Sequence, residues 1–314
     1  MNFQQLRCVH EIVQQGFNLT HAAQALFTSQ PGVSKMVLDF ESELGFDVFL
    51  RHGKRIKGLT KEGEQVYPFI IKVLRSMADL KENAAECKNP RMGRLTIATT
   101  HTQARYVLPP VIMAFREQYP DVRLSLLQGA PSQIAQMVLS GQADIAVATE
   151  SIADTHGLRA TPCYTWQHKI LLPKNHPLTK LEHLSITDLA SFPLVTYDPA
   201  FAGRTKIDRA FLSAQVTPDI VLEAIDADVI RTYVEVGMGV GILAGMALDA
   251  MKDNLTHTNL VALDAGTLFG LNTTFAAVRE DRFLREYEHV FIDLLTKKHL
   301  KFYFNAHGAP LYLI

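Results

Sequence analysis

Residues 18–35 read NLTHAAQALFTSQPGVSK, two short helical patterns separated by Phe27 and Thr28. Asn18 is a good N-cap for the first helix, and Ala22 and Ala23 keep one of its faces small enough for close approach to a neighbour. Ser29 caps the second. Pro31 falls in its first turn, where a missing N–H costs nothing, and Val33, Val37, Phe40 and Leu44 form its buried stripe. Upstream, Phe3, Leu6, Val9 and Val13 recur at helical spacing until Gly16 ends that helix. Two helices joined this tightly make a helix-turn-helix. Downstream, FDVFLRHGKRIKGLT (46–60) sets two apolar pieces around HGK and predicts a β-hairpin wing. Residues 51–57 hold Arg51, Lys54, Arg55 and Lys57 with no acid among them. Alone, that is the makeup of a solvated turn; beside a helix-turn-helix it is placed to meet phosphates.

From Thr60 a long helix is expected, with Val66, Ile70, Val73, Met77, Leu80 and Ala84 spaced alternately by four and three. Twenty-five such residues span roughly 38 Å, enough for a seam that holds two copies together. Packing on its own chain is the other reading of that seam. Pro68 removes a donor inside the pattern and predicts a kink or a delayed start. KNPRMGR (88–94) reads as a hinge.

From Arg94 the pattern alternates between strands and helices. RLTIATT, a helix over 104–118, VRLSLLQG, a helix over 131–140 and ADIAVAT predict βαβαβ and a parallel sheet. A second cycle runs from about Tyr164 to Asp264 through KILLP, PLVTY, a helix from Arg204, DIVLEA, DADVIRTYVEVG and GVGILA. LNTTFAAV and FLREYEHVFIDLL read as a returning strand and a closing helix. The expected organisation is α/β: a winged helix-turn-helix over 1–59, a linker helix over 60–88, one lobe from 89–163 with 268–296, a second from 164–267, and a tail at 297–314. A cleft between two such lobes suits a small ligand.

TTHTQARY (99–106) lies where the first strand of the first lobe meets its helix. The backbone N–H groups of Thr102, Gln103 and Ala104 are expected to face an anion there, with the Thr100 and Thr102 hydroxyls and the Gln103 amide as neutral donors. An ordinary N-cap with polar neighbours explains the same stretch. ATE at 148–150 ends another strand of that lobe and aims Thr149 at the same rim, which favours a pocket.

Composition narrows the classes. A chain of 314 residues with 47% hydrophobic content folds into more than one globular domain, and its net charge of −1 leaves nucleic-acid affinity to local clusters. Cys8, Cys87 and Cys163 are odd in number and far apart, which fits the reducing cytoplasm. No apolar run of about 18 residues and no basic flank before an apolar core occur, so neither a membrane span nor a secretory leader is expected. An enzyme finds little support. GMGVGI (237–242) precedes a strand instead of following one, GKR (53–55) lacks the first glycine and the hydroxyl of a phosphate loop, and HExxH, CxxC and GxSxG are absent. No catalytic residue and no metal-ligand motif is assigned. A transported-solute receptor would suit the two lobes but not the N-terminal helix-turn-helix.

NLTHAAQALFTSQPGVSK, with ELG, VFLR and LT after it, resembles the N-terminal domain of the LysR-type transcriptional regulators. TTHTQARY, with QG, ADIAVATE, PLVTY and DADVI, is similar to their CysB and Cbl branch, which controls sulfur assimilation and sulfonate use. The resemblance covers nearly the whole chain. It implies an effector domain shaped like a periplasmic binding protein, a homotetramer built as a dimer of dimers, promoter DNA and RNA polymerase as partners, and no cofactor other than a small effector. O-Acetylserine, N-acetylserine, sulfate, thiosulfate and adenosine phosphosulfate are the effectors implied. The DNA-facing set becomes Thr28, Ser29, Gln30, Pro31, Ser34 and Lys35 with Arg51, Lys54 and Arg55 on the wing. The effector set becomes Thr100, Thr102, Gln103, Thr149 and the loop at 201–204, with Trp166 at the entrance. That loop reads Phe201-Ala202-Gly203-Arg204 where the branch usually has threonine second, so Ala202 removes one hydroxyl.

Overall fold

The computed structural model describes residues 1–53, 55–88, 91–201, 203–250, 258–296, 303–304 and 310–311. Lys54, Ala202, part of the expected hinge (89–90) and most of the 297–314 tail lie outside the described residues. Two units emerge, Met1–Cys87 and Lys88–Ile314.

The first unit runs α1 (Phe3–Gln14), α2 (Leu19–Ala25), α3 (Gln30–Leu44), β1 (Phe49–His52), β2 (Arg55–Leu59) and α4 (Lys61–Lys88). Caps set its boundaries. Asn18 accepts the N–H groups of Thr20 and His21, and Ser29 accepts that of Gly32. Phe27 takes a left-handed φ of 53° between α2 and α3, and Gly45 does so at 81° after α3. Val9, Ile12, Ala22, Val33, Val37, Phe40 and Phe49 fill the core. The α1 stripe is rotated from the expected one: Cys8 and Ile12 are buried while Phe3 is exposed.

Helix α4 starts at Lys61 despite Pro68, which lies within it. Thr60 caps it by accepting the N–H of Gly63 at 2.9 Å. A Cβ on Gly63 would stand 2.1 Å from the Val48 carbonyl oxygen, so only glycine lets this helix lie against the wing. The expected seam splits. Val66 and Ile70, with Tyr67 and Leu74, pack into the core of their own unit, whereas Val73 and Leu80, with Phe69, remain exposed.

The second unit contains β3 (Gly93–Thr99), α5 (His101–Tyr106), α6 (Leu108–Gln118), β4 (Val122–Gln128), α7 (Pro131–Leu139), β5 (Ile145–Thr149), β6 (Leu158–Trp166), β7 (His168–Pro173), α8 (Ile186–Ala190), β8 (Leu194–Tyr197), α9 (Arg204–Ser213), β9 (Ile220–Ala224), α10 (Ala227–Glu235), β10 (Val240–Ala244), α11 (Gly245–Ala250), β11 (Leu260–Asp264), β12 (Asn272–Arg279) and α12 (Glu286–Thr296). The sheets are ordered β4-β3-β5-β12-β6 and β9-β8-β10-β7-β11. Each is mixed where a parallel sheet was expected. β4, β3 and β5 run parallel, as do β9, β8 and β10, but β12 and β7 run antiparallel to the neighbours on both sides. The reason is that the chain passes between lobes twice, and each crossing delivers a strand in the reverse direction.

The outward crossing falls at Gln167, because β6 stays in the first sheet through Trp166, and not at 163/164 as expected. The expected helix over 104–118 is two helices that meet at Val107, since Pro109 and Pro110 supply no N–H to continue α5. Leu95, Ile97, Phe115, Tyr287 and Phe291 lie on one face of the first sheet and Ile134, Val138 and Ile152 on the other. The second sheet is covered likewise, by Tyr197, Ile230 and Val234 on one side and Leu189, Ile207 and Phe211 on the other.

Candidate functional site

In the first unit, α3 buries Val33, Val37 and Phe40 and turns Gln30, Pro31 and Lys35 to solvent, with Thr28 and Ser29 exposed before it and Ser34 half-buried. Gln30 and Arg55 meet across a groove of about 430 Å³ lined also by Phe17, Asn18, Leu19 and Thr20. The N-terminal end of α2 thus joins the surface, which sequence reading had treated only as a cap. Arg51 is placed otherwise. Its guanidinium pairs with Glu41, a carboxylate 4% exposed whose Oε1 also accepts the N–H groups of Val48 and Phe49 at 2.8 and 3.0 Å. Glu41 therefore holds the wing to α3, and Arg51 is committed to that joint. No spacing rule could have found this pair, because the two side chains meet only in the folded unit.

In the second unit the expected threonines gather at the C-terminal ends of adjacent strands. Thr100 follows β3 at the N-cap position of α5, Thr149 ends β5, and Thr102 lies in the first turn of α5; all three are buried. The N–H of Ala104 donates to the Thr100 carbonyl at 3.0 Å, so the groups ahead of the helical ladder are those of His101, Thr102 and Gln103, one residue earlier than expected. Gln103 is engaged at both ends of its amide: Nε2 donates to Thr274 Oγ1 at 3.1 Å and Oε1 accepts from the Tyr164 hydroxyl. Trp166 donates its indole N–H to the same Thr274 oxygen at 3.2 Å and is buried at the lobe crossing.

The second lobe answers with Tyr197 and the loop after it. The Tyr197 hydroxyl is bonded by Thr102 and accepts the N–H of Ala244 at 3.2 Å, and burial pushes its pKa up to about 12, so it stays a neutral phenol. Gly203 takes a φ of 68°, and a Cβ there would meet Asn272 Oδ1 at 2.2 Å. Arg204 does not reach into the cleft. It bonds Asp208 and Glu223 at 2.7 Å each and the Tyr197 carbonyl, anchoring the loop to β8 and β9. Among the described residues, Arg105 pairs with Asp228 at 2.7 Å and Lys206 with Glu150 at 2.6 Å across the lobes. Glu150 also accepts the N–H of Thr273 at 2.7 Å. Sequence reading missed Tyr197, Glu150 and Lys206 as members of this site. The signal for Tyr197 was its place at the end of PLVTY, the second-lobe counterpart of β3.

The same counterpart relation appears in hydroxyl bonding. Thr99 on β3 donates to the Val147 carbonyl of β5 at 2.9 Å, and Thr196 on β8 donates to the Ile242 carbonyl of β10 at 3.0 Å. Such paired lobes behind a helix-turn-helix correspond to two families. Residues 3–64 match the bacterial regulatory helix-turn-helix protein, lysR family, and residues 88–299 match the LysR substrate binding domain. The chain is a LysR-family transcriptional regulator. This LysR-family chain is 48% identical over 296 residues to the HTH-type transcriptional regulator CysB of Burkholderia cenocepacia, covering 94% of the chain and 93% of that relative. It is also 48% identical to the regulator SsuR of the same organism, over 94% of the chain and 95% of the relative. The solved cofactor-binding domain of the Cbl transcriptional regulator superposes with a TM-score of 0.62 at 43% identity, covering 65% of the chain and 88% of that domain.

Among the described residues no helix is long and apolar enough to cross a membrane. Cys8 and Cys163 are buried, and desolvation pushes both thiols up to about 11, so neither is a thiolate at neutral pH.

Proposed function

We propose that this LysR-family regulator controls genes of sulfur assimilation or sulfonate use, in the cytoplasm, as a homotetramer that binds promoter DNA and engages RNA polymerase. Its switch is a small anionic or zwitterionic sulfur metabolite in the cleft, of the class of O-acetylserine, N-acetylserine, sulfate, thiosulfate or adenosine phosphosulfate. No catalytic step is assigned. The observation that carries the reading is the convergence of Thr100, Thr102 and Thr149 at adjacent strand ends beneath Tyr197 of the other lobe. Hydroxyls and first-turn N–H groups bind an anion without a fixed positive charge, which suits reversible occupancy. Only a ligand that prefers one arrangement of the lobes can act as a switch.

Purified protein melted with each compound tests this. A ligand at a hundredfold excess over its dissociation constant stabilises the folded state by about 2.7 kcal/mol. Thr102→Ala should abolish the shift, Ala202→Thr should strengthen it for whichever ligand reaches that loop, and the same ligand should alter the promoter footprint. A thermal shift without any footprint change refutes the switch. No shift with any of the five compounds refutes the sulfur assignment.

A further inference from the structure

We propose that His101, Asp226 and Asp228 form a divalent transition-metal site that pins the two lobes together. One ring nitrogen of His101 and one carboxylate oxygen from each aspartate lie within 4.8 Å of one another. The ligands come from both sides of the cleft. His101 opens α5 in the first lobe, while Asp226 caps α10 and Asp228 sits in its first turn in the second. A His and an Asp so far apart in sequence leave no spacing signature, which is why no metal motif was legible in the chain.

Each carboxylate is steered through one oxygen. Asp226 Oδ1 accepts the Val229 N–H at 2.8 Å, and Asp228 Oδ2 pairs with Arg105 Nε at 2.7 Å. Such outer contacts are what orient ligating carboxylates in metal sites. One further observation points to a ligand: His101 Nδ1 is buried without a hydrogen-bond partner. Orphaned buried polar atoms are rare and call for a water or an ion. A cation held by His101 and the two aspartates would complete the imidazole. Two carboxylates outweigh the one guanidinium, so the spot favours positive charge.

The donor set selects the ion. One imidazole with two carboxylates suits zinc, nickel, cobalt or manganese, whereas magnesium prefers oxygen alone. Ligand bonds of about 2.0–2.2 Å place donors roughly 3.4 Å apart around a tetrahedral ion. Occupancy therefore draws α5 and α10 together and closes the cleft further. This inference does not depend on which effector the threonine pocket takes.

The test uses the full chain, stripped with EDTA and desalted, melted with zinc, nickel, manganese or magnesium chloride, with stoichiometry by titration calorimetry. Zinc and nickel should raise the melting temperature and saturate at one ion per chain, and magnesium should not. His101→Gln, and Asp226→Asn, which keeps a capping oxygen, should each weaken zinc binding by about tenfold or more. Cobalt(II) should give visible d–d absorption that His101→Gln removes. Metal-free melting of both variants at the parent's temperature shows that they fold. Retention of the full metal shift in His101→Gln would place the ion on other histidines and overturn the site, as would the absence of any shift in the parent.

Discussion

Lys35 stands exposed on α3 next to half-buried Ser34, while Arg51 is bound to the buried carboxylate of Glu41. Basic residues that look equivalent in the sequence therefore divide between contact and construction. Lys35→Ala should weaken specific promoter binding by roughly 1–3 kcal/mol in footprint titrations, as expected for a groove-facing side chain; an unchanged footprint would remove Lys35 from the interface. Arg51→Ala should instead loosen the wing, because Glu41 would lose its countercharge. His10 supplies a pH dependence. Its Nδ1 lies 3.0 Å from the Tyr67 hydroxyl, and desolvation, with Arg75 adding to it and Glu11 opposing it, lowers its pKa below the ordinary 6.5. The unfolded chain binds the proton more readily, so stability rises with pH through this window. The contribution is complete above about pH 6.5 and is lost as pH falls towards the lowered folded value. Protection factors in α1 and α4, taken relative to the intrinsic exchange rate at each pH, should fall between pH 7.5 and pH 5.5, and His10→Gln should remove that part of the change. Capping residues such as Asn18 and Ser29 were legible because a cap is local. Glu41 was not, since its partners lie in the wing and only folding brings them near.

Elements were legible where their period was clean. The helices of the first unit, the hairpin and the parallel strands announce themselves by spacing and caps. β6 does not, because exposed Pro162 follows exposed Thr161 and breaks its alternation, and a register shift opposite Thr274/Phe275 displaces it. Helix α4 shows how one period can serve two surfaces. Val66 and Ile70 continue into their own core, while Phe69, Val73 and Leu80 leave an open apolar face with half-buried Met77 at its edge. We expect that face to join two copies. Replacing Val73 and Met77 by Lys would put charges into a desolvated contact without partners, so the double variant should sediment as a smaller species. An unchanged sedimentation coefficient would return the face to solvent.

At the scale of the whole molecule, two lobes with a cleft were readable from the repeated strand-helix alternation, but the mixed sheets were not. Strand direction in β7 and β12 follows from where the chain crosses, and nothing in KILLP or LNTTFAAV states a direction. The candidate pocket follows the same division: its threonines lie at strand ends that the pattern predicts, whereas Tyr197, Glu150 and Lys206 enter through the pairing of lobes.

Strand β12 lies between β5 and β6, yet it is made only after every strand of the second lobe. On the ribosome, residues 168–264 emerge as one uninterrupted stretch and can complete their sheet first. The first lobe must wait, with β5 and β6 both holding unsatisfied edges, until 272–279 arrives to join them. Open strand edges are where wrong partners add. The nascent first lobe thus offers wrong partners an opening between β5 and β6 that the finished protein has closed.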